Sequence, residues 1–303
     1  MHAASLRLLP RPSRYGKLRA SSLPKSPSAH NQAEHKDGVQ KNKLVNSIRR
    51  DICEATEERV YTYEDVDIEA FERVAGFDRG ALAAFLERKN PTLTYNSVLK
   101  TFELVVMPSK LHNCPLAWLN TAMGILFRDG FFTPQEWLKL RVQGNSRFSD
   151  FDIPYRSSRK EPDGCIVPAG MSLPTLVIES GLTESRRKLH RDRDLWLQGG
   201  AGSVQVVLVA KWTKDAAKKI RGDIEVFDLG PMGTARSLQK EVIFPAPPAQ
   251  IALGQTISLT KRHLFGSTLP AVQDPGLLAH LDLNLFREIA DEYIRCEDCV
   301  PAS

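Results

Sequence analysis

The chain has 303 residues, 42% of them hydrophobic and 25% charged, a balance that sustains a packed core and excludes a wholly disordered chain. No run approaches the roughly 18–20 apolar residues of a membrane span, so no membrane partner is expected. The net charge of +5 comes from 41 Lys and Arg against 36 Asp and Glu. Arg7, Arg11, Arg14, Lys17, Arg19 and Lys25 lie in an acid-free stretch, which leaves the rest of the chain near −1. The basic balance therefore belongs to the tail and does not mark the folded part as nucleic-acid-binding.

Taken in chain order, residues 1–45 are rich in Ser, Pro, Arg and Lys and have little apolar periodicity, so a disordered tail is expected. Its composition also matches a mitochondrial transit peptide, although Pro10 and Pro12 interrupt an amphipathic helix there. Residues 46–92 read as a charged, helical lead-in with an apolar cluster at Ala81, Leu82, Phe85 and Leu86, closed by Pro91. A single domain with a C-terminal elaboration is expected over 93–303.

Within that domain, Tyr95 to Met107 reads as extended. Asn113 is positioned to cap a buried helix that carries Pro115 in its first turn and stops at Gly130. Thr133-Pro134-Gln135-Glu136 is a capping box with proline at the first helical position. Strands are expected over 141–148, over Cys165-Ile166-Val167 and over Thr175 to Glu179, the last an apolar run suited to a central strand. A helix capped by Thr183 follows over Glu184 to Leu197. Gly199, Gly200 and Gly202 lack the lysine and hydroxyl of a phosphate loop and read as a turn. Val204 to Ala210 is a further strand, and short strands follow near 223–229, 241–244 and 255–259. The last helix bears Leu285, Ile289 and Tyr293 on one stripe.

Five cysteines, Cys53, Cys114, Cys165, Cys296 and Cys299, are sparse and odd in number. With no long apolar leader in view, that pattern fits a reducing, intracellular setting, nuclear or cytoplasmic. Cys296 and Cys299 have metal spacing, but no second pair completes a zinc site. His112 precedes the buried helix without a ligand partner at useful spacing and is expected to cap or pack.

The order helix, strand, strand, strand, helix, strand over 114–210 resembles the core of the restriction-endonuclease-like, or PD-(D/E)XK, superfamily. Asp163 starts the second strand and Glu179 ends the third. The segment is more closely similar to uncharacterised fungal proteins predicted to share that fold: Pro162-Asp163-Gly164, then Val177-Ile178-Glu179-Ser180-Gly181, then Thr183-Glu184-Ser185, with Leu189, Asp192 and Trp196 down the next helix. The resemblance covers roughly residues 94–212. It implies an α/β fold with a mixed central sheet in a restriction-endonuclease-like core (αβββαβ), an N-terminal helical segment and C-terminal strand and helix additions. It also implies hydrolysis or binding of nucleic-acid phosphodiesters, in DNA or RNA. Asp163 and Glu179 would hold Mg²⁺, with Mn²⁺ as substitute, since that ion takes oxygen ligands.

One position departs from the pattern. Gly181 stands where the family places a lysine, so the positive charge would have to come from the next helix, from Lys188 or Arg187. Arg186, Arg187 and Arg191 on that helix are candidates for holding a phosphate backbone. Bland alternatives stand beside each assignment. Asp163 belongs to a good type I turn sequence, Glu179 could pair with Arg187 or Lys188, and the basic helix could be a solvated face. Two functional expectations follow: a metal-dependent nuclease, or a nuclease fold kept as a binding or scaffold module.

Overall fold

The computed structural model of the protein describes residues 43–48, 50–75, 89, 91–144, 146–270 and 273–303. The tail expected over residues 1–45 lies outside them as far as residue 42, as does the apolar cluster at 81–86. Within the described residues the fold is mixed α/β.

The first lobe spans residues 43–107. Helical residues 43–48 and 50–54 precede β1 (Arg59–Tyr63), α1 (Ile68–Ala75), β2 (Thr92–Asn96) and β3 (Thr101–Val106). The strands form an antiparallel sheet in the order β1-β3-β2. The helical reading of 46–92 is thus corrected at β1. Val60-Tyr61-Thr62-Tyr63 are β-branched and aromatic, the residue types that suit a pleated surface, and they pair with β3. The lobe closes its own apolar core: Ile48, Ile52, Phe71, Val74, Tyr95, Phe102, Leu104 and Val106 pack together, and the whole cluster draws only on residues 44–107.

Next comes a 3₁₀ turn, Lys110–Asn113, that runs into α2 (Cys114–Arg128). Asn113 stands at the expected capping position but makes no side-chain cap. Helix α2 buries a stripe of Cys114, Pro115, Trp118, Leu119, Ala122 and Met123. The capping box forms as expected: Thr133 and Glu136 satisfy each other's backbone N–H groups at the start of α3 (Pro134–Trp137).

The central sheet then assembles from β4 (Leu140–Gln143), β5 (Gly164–Pro168), β6 (Leu176–Gly181) and β7 (Val206–Lys214). β8 (Lys219–Leu229) continues it, and both β9 (Ala235–Phe244) and β12 (Val300–Pro301) pair with β8. Its one parallel junction inside the core is β6–β7, bridged by helix α4 (Arg186–Gly199), the crossover that a parallel pair requires. The expected four strands thus lie in one mixed sheet, with β6 in the interior between β5 and β7. The cap of α4 falls two residues later than expected. Ser185 Oγ, not Thr183, accepts the Lys188 N–H, while Glu184 turns inward to pair with Lys188.

Alternation along β6 sends its side chains to two different places. Leu176 and Ile178 enter an apolar cluster with α2 and with α5 (Leu283–Arg295), where Trp118 stacks on Phe286 at 4.5 Å. Val177 enters a second cluster with Phe148, Phe151, Leu189 and Trp196 under α4. On α5 the buried stripe is Leu283, Phe286, Ala290 and Ile294, with Leu285, Ile289 and Tyr293 on its flank. The hairpin of β10 (Thr256–Thr260) and β11 (Leu278–Asp282) completes this side. Among the described residues no helix is long and apolar enough to cross a membrane.

Candidate functional site

On the α4 side of β6 the residue after Val177 in the same row is Glu179, a carboxylate ending a buried strand. Such a group is costly unless partnered. Its partners are Lys160, whose Nζ donates to Oε2 at 3.0 Å, and Trp196, whose indole N–H donates to Oε1 at 2.6 Å. Neither Arg187 nor Lys188 bonds to it: Arg187 is exposed, and Lys188 serves other carboxylates.

Lys160 is held in place by backbone pairing between its residue and Phe148. Its ammonium also meets Asp192 at 3.1 Å. From α4, Lys188 meets Glu184 at 2.7 Å, Asp192 at 2.8 Å and Glu103 of β3 at 3.3 Å. Arg191 reaches the other oxygen of Glu103 at 3.0 Å. The Lys160, Lys188, Glu179 and Asp192 side chains are almost wholly buried, so the cluster is a closed ion network, not a surface patch.

Asp163 stands on the opposite rim. Its Oδ2 accepts the Ser180 N–H at 2.6 Å, and its Oδ1 lies 3.5 Å from His112 Nδ1. His112 bridges onward to Glu58 at 3.4 Å, and Glu58 also accepts from the Thr183 hydroxyl at 2.5 Å and the Ser109 N–H at 2.7 Å. The expected packing role of His112 is thus a buried Glu58–His112–Asp163 bridge between the lobe and the core. Asp163 and Glu179 do line one cavity, together with Lys160 and Lys188. The space left there is about 20 Å³, room for a single water.

The electrostatics follow from this crowding. Burial drives the Glu179 carboxyl up against the pull of Lys160, and the charges of Asp192 and Asp163 act in the same direction as burial, so it rises to about 8. Burial opposes the charge on Lys160, but Asp192 and Glu179 more than offset it, and its pKa is raised. Burial likewise opposes the charge on Lys188, which Asp192, Glu184 and Glu103 raise well above its ordinary value. Asp192, between the two lysines, is held down against its burial. His112 is raised by Asp163 and Glu58 against its burial. Burial raises Glu58, yet His112, Thr183 and Ser109 bring it down to about 2.

The remaining candidates separate. Arg186 turns to β8, 2.6 Å from Asp223 and 3.8 Å from Glu225, so it is not part of the cluster. A side chain at Gly181 would have to displace Glu184, because a Cβ there would stand 2.6 Å from Glu184 Oε2. Directly across from Gly181 in the parallel register is Lys211, whose ammonium donates to the Leu182 carbonyl at 2.7 Å. Burial lowers its pKa.

Beside the closed network lies an open cleft of about 470 Å³, lined among others by Lys89, Ser109, Lys110, Thr183, Lys214 and Glu297. Its wall shares Glu58 with the His112 bridge. Glu297 is occupied by the Lys110 N–H at 2.6 Å. The Lys110 and Lys214 ammonium groups, both on exposed residues, form no ion pair among the described residues.

Compared with protein-family models, curated proteins and solved structures, the chain matches none.

Proposed function

We propose that the chain is a restriction-endonuclease-like protein that binds the phosphodiester backbone of nucleic acid, with its carboxylate cluster neutralised by its own cations. The succession α2, β4, β5, β6, α4, β7, with Asp163 leading into β5 and Glu179 on the neighbouring β6, supports the fold family. The observation that carries the reading is the partnering of the two carboxylates. Lys160 and Trp196 take both oxygens of Glu179, and Ser180 and His112 face those of Asp163. Binding is supported by the adjacent cleft, where Lys110 and Lys214 present ammonium groups with no ion-pair partner among the described residues, the chemistry that holds a phosphate backbone.

In this conformation the residues do not fit a Mg²⁺ set. Their oxygens are committed to protein donors, and no group of three His, Cys, Asp or Glu among the described residues is arranged around a metal. A second reading, metal-dependent cleavage, is favoured by one specific fact: an amine, that of Lys160, converges with Asp163 and Glu179. It requires those oxygens to be released first.

Two measurements decide. Calorimetry with Mn²⁺ on the wild type and on Glu179→Gln is expected to show no metal heat in either. Labelled single-stranded DNA and RNA are expected to bind in EDTA with affinity that falls steeply as salt rises. Metal heat present in the wild type and lost in Glu179→Gln, with Mn²⁺-dependent cleavage, would install the enzyme reading instead. No binding of either strand at low salt would remove the nucleic-acid reading altogether.

A further inference from the structure

The lobe over residues 43–107 covers the ion network, and its sheet presents an unusual face there. Phe102, Leu104 and Val106 point into the lobe's own core. Alternation sends Glu103 and Val105 the other way, and with Thr92 and Thr94 from β2 they roof the 20 Å³ cavity. Glu103 is the charged group of that roof, and it is only 5% exposed. Its two oxygens are divided between two cations of α4: Oε2 to Lys188 at 3.3 Å and Oε1 to Arg191 at 3.0 Å. Two oxygens of one anion shared between an ammonium and a guanidinium is the geometry in which proteins hold phosphate.

We infer that Lys188 and Arg191 form an anchoring site for one backbone phosphate of the bound strand, and that Glu103 is its built-in competitor, removed when the lobe tilts away. The inference rests on the phosphodiester-binding reading and adds a place and a control to it.

Three observations carry it. The lobe's apolar core is separate from the two clusters of the sheet, which begin at Leu111 and Phe148. What fastens it across the site is polar: Glu103 to Lys188 and Arg191, Glu58 to His112 and Thr183, Glu72 to Arg159, and the Tyr95–Arg159 bridge. A polar junction between separately cored units yields to relative motion more readily than an apolar one. Second, departure of Glu103 strands no buried charge, since Lys188 keeps Glu184 and Asp192 within 2.8 Å. Third, Arg191 has no other ion-pair partner among the described residues and its side chain is 37% exposed, so its fork is free for an anion once Glu103 leaves. Arg187, exposed one turn earlier on the same helix, extends the positive edge.

The test uses the full chain and fluorescence anisotropy with short labelled single-stranded DNA and RNA in EDTA. Glu103→Gln removes the competing charge and keeps the shape, so it is expected to bind about tenfold tighter than wild type, equivalent to about 1.4 kcal/mol. The salt dependence should steepen by about 0.7 in log–log slope, one added phosphate contact on a single strand. Combining it with Arg191→Ala should cancel the gain. Glu103→Gln binding no tighter than wild type, with its thermal melt intact, overturns the inference while leaving the binding reading in place. A gain that survives Arg191→Ala overturns it too. If Glu103→Gln fails to fold, Arg191→Ala alone still decides, because an unchanged affinity and salt slope in that variant would exclude the anchoring site. Absence of binding by every protein, wild type included, is the separate failure of the phosphodiester reading.

Discussion

The two faces of β6 are one strand apart in chemistry. On one face Leu176 and Ile178 join Trp118, Trp212 and Phe286 in an apolar cluster. On the other, Val177 is followed in its row by Glu179, and around it gather two lysines, an aspartate and a tryptophan N–H. The apolar face is held by area removed from water, which is tolerant of small changes in shape. The polar face is held by pairing, in which each member is stable only while its partners remain. The same sheet thus carries a forgiving half and a brittle half, and the brittle half is the one the lobe covers.

The sharpest way to break that contrast is Lys160→Met. It leaves Glu179 and Asp192 facing each other without their shared cation, and a loss of about 3–5 kcal/mol is expected in denaturant unfolding. Lys160→Met with no more effect than a surface change would show that the network tolerates a missing member.

Acid comes next. Glu58 is held near 2 against an ordinary value of 4.5. A depressed folded pKa gives stability that is complete above the unfolded value and is lost as pH falls through 4.5 towards 2. At about 1.36 kcal/mol per pH unit this is at most about 3 kcal/mol. His112 is the other end of this contact, so the part of its shift that comes from Glu58 is not added a second time. Melts of wild type and Glu58→Gln should converge over that window, and parallel curves would contradict the bridge.

The smallest effect belongs to the apolar face. Ile178→Val removes one methylene from a fully buried side chain and is expected to cost about 0.5–1.5 kcal/mol. A much larger loss would mean that this face, too, is finely interlocked.

How much of this could be read from the sequence varies by element. The central strand was legible because an apolar run ending in Glu179 has few homes in a fold. That Asp163 and Glu179 line one cavity follows from Asp163 leading into β5 and Glu179 lying on β6 beside it. Strand β1 was missed although Val60 to Tyr63 carried a β signal, because the charged surroundings suggested helix. Lys160 follows Arg156 and Arg159 in a polar stretch, and nothing local marks it as buried. Only its pairing with Phe148 draws it in. The Glu58–His112 contact spans 54 positions and depends on how the lobe docks, which no short-range pattern encodes.

Gly181 limits what the network can absorb. A Cβ there would stand 2.6 Å from Glu184 Oε2, and Glu184 is one of two carboxylates that hold Lys188 within 2.8 Å. A side chain at 181 therefore has to push the Glu184 carboxylate aside, which couples the two positions through Lys188. A library randomised jointly at 181 and 184 should return larger residues at 181 more often than one randomised at 181 alone.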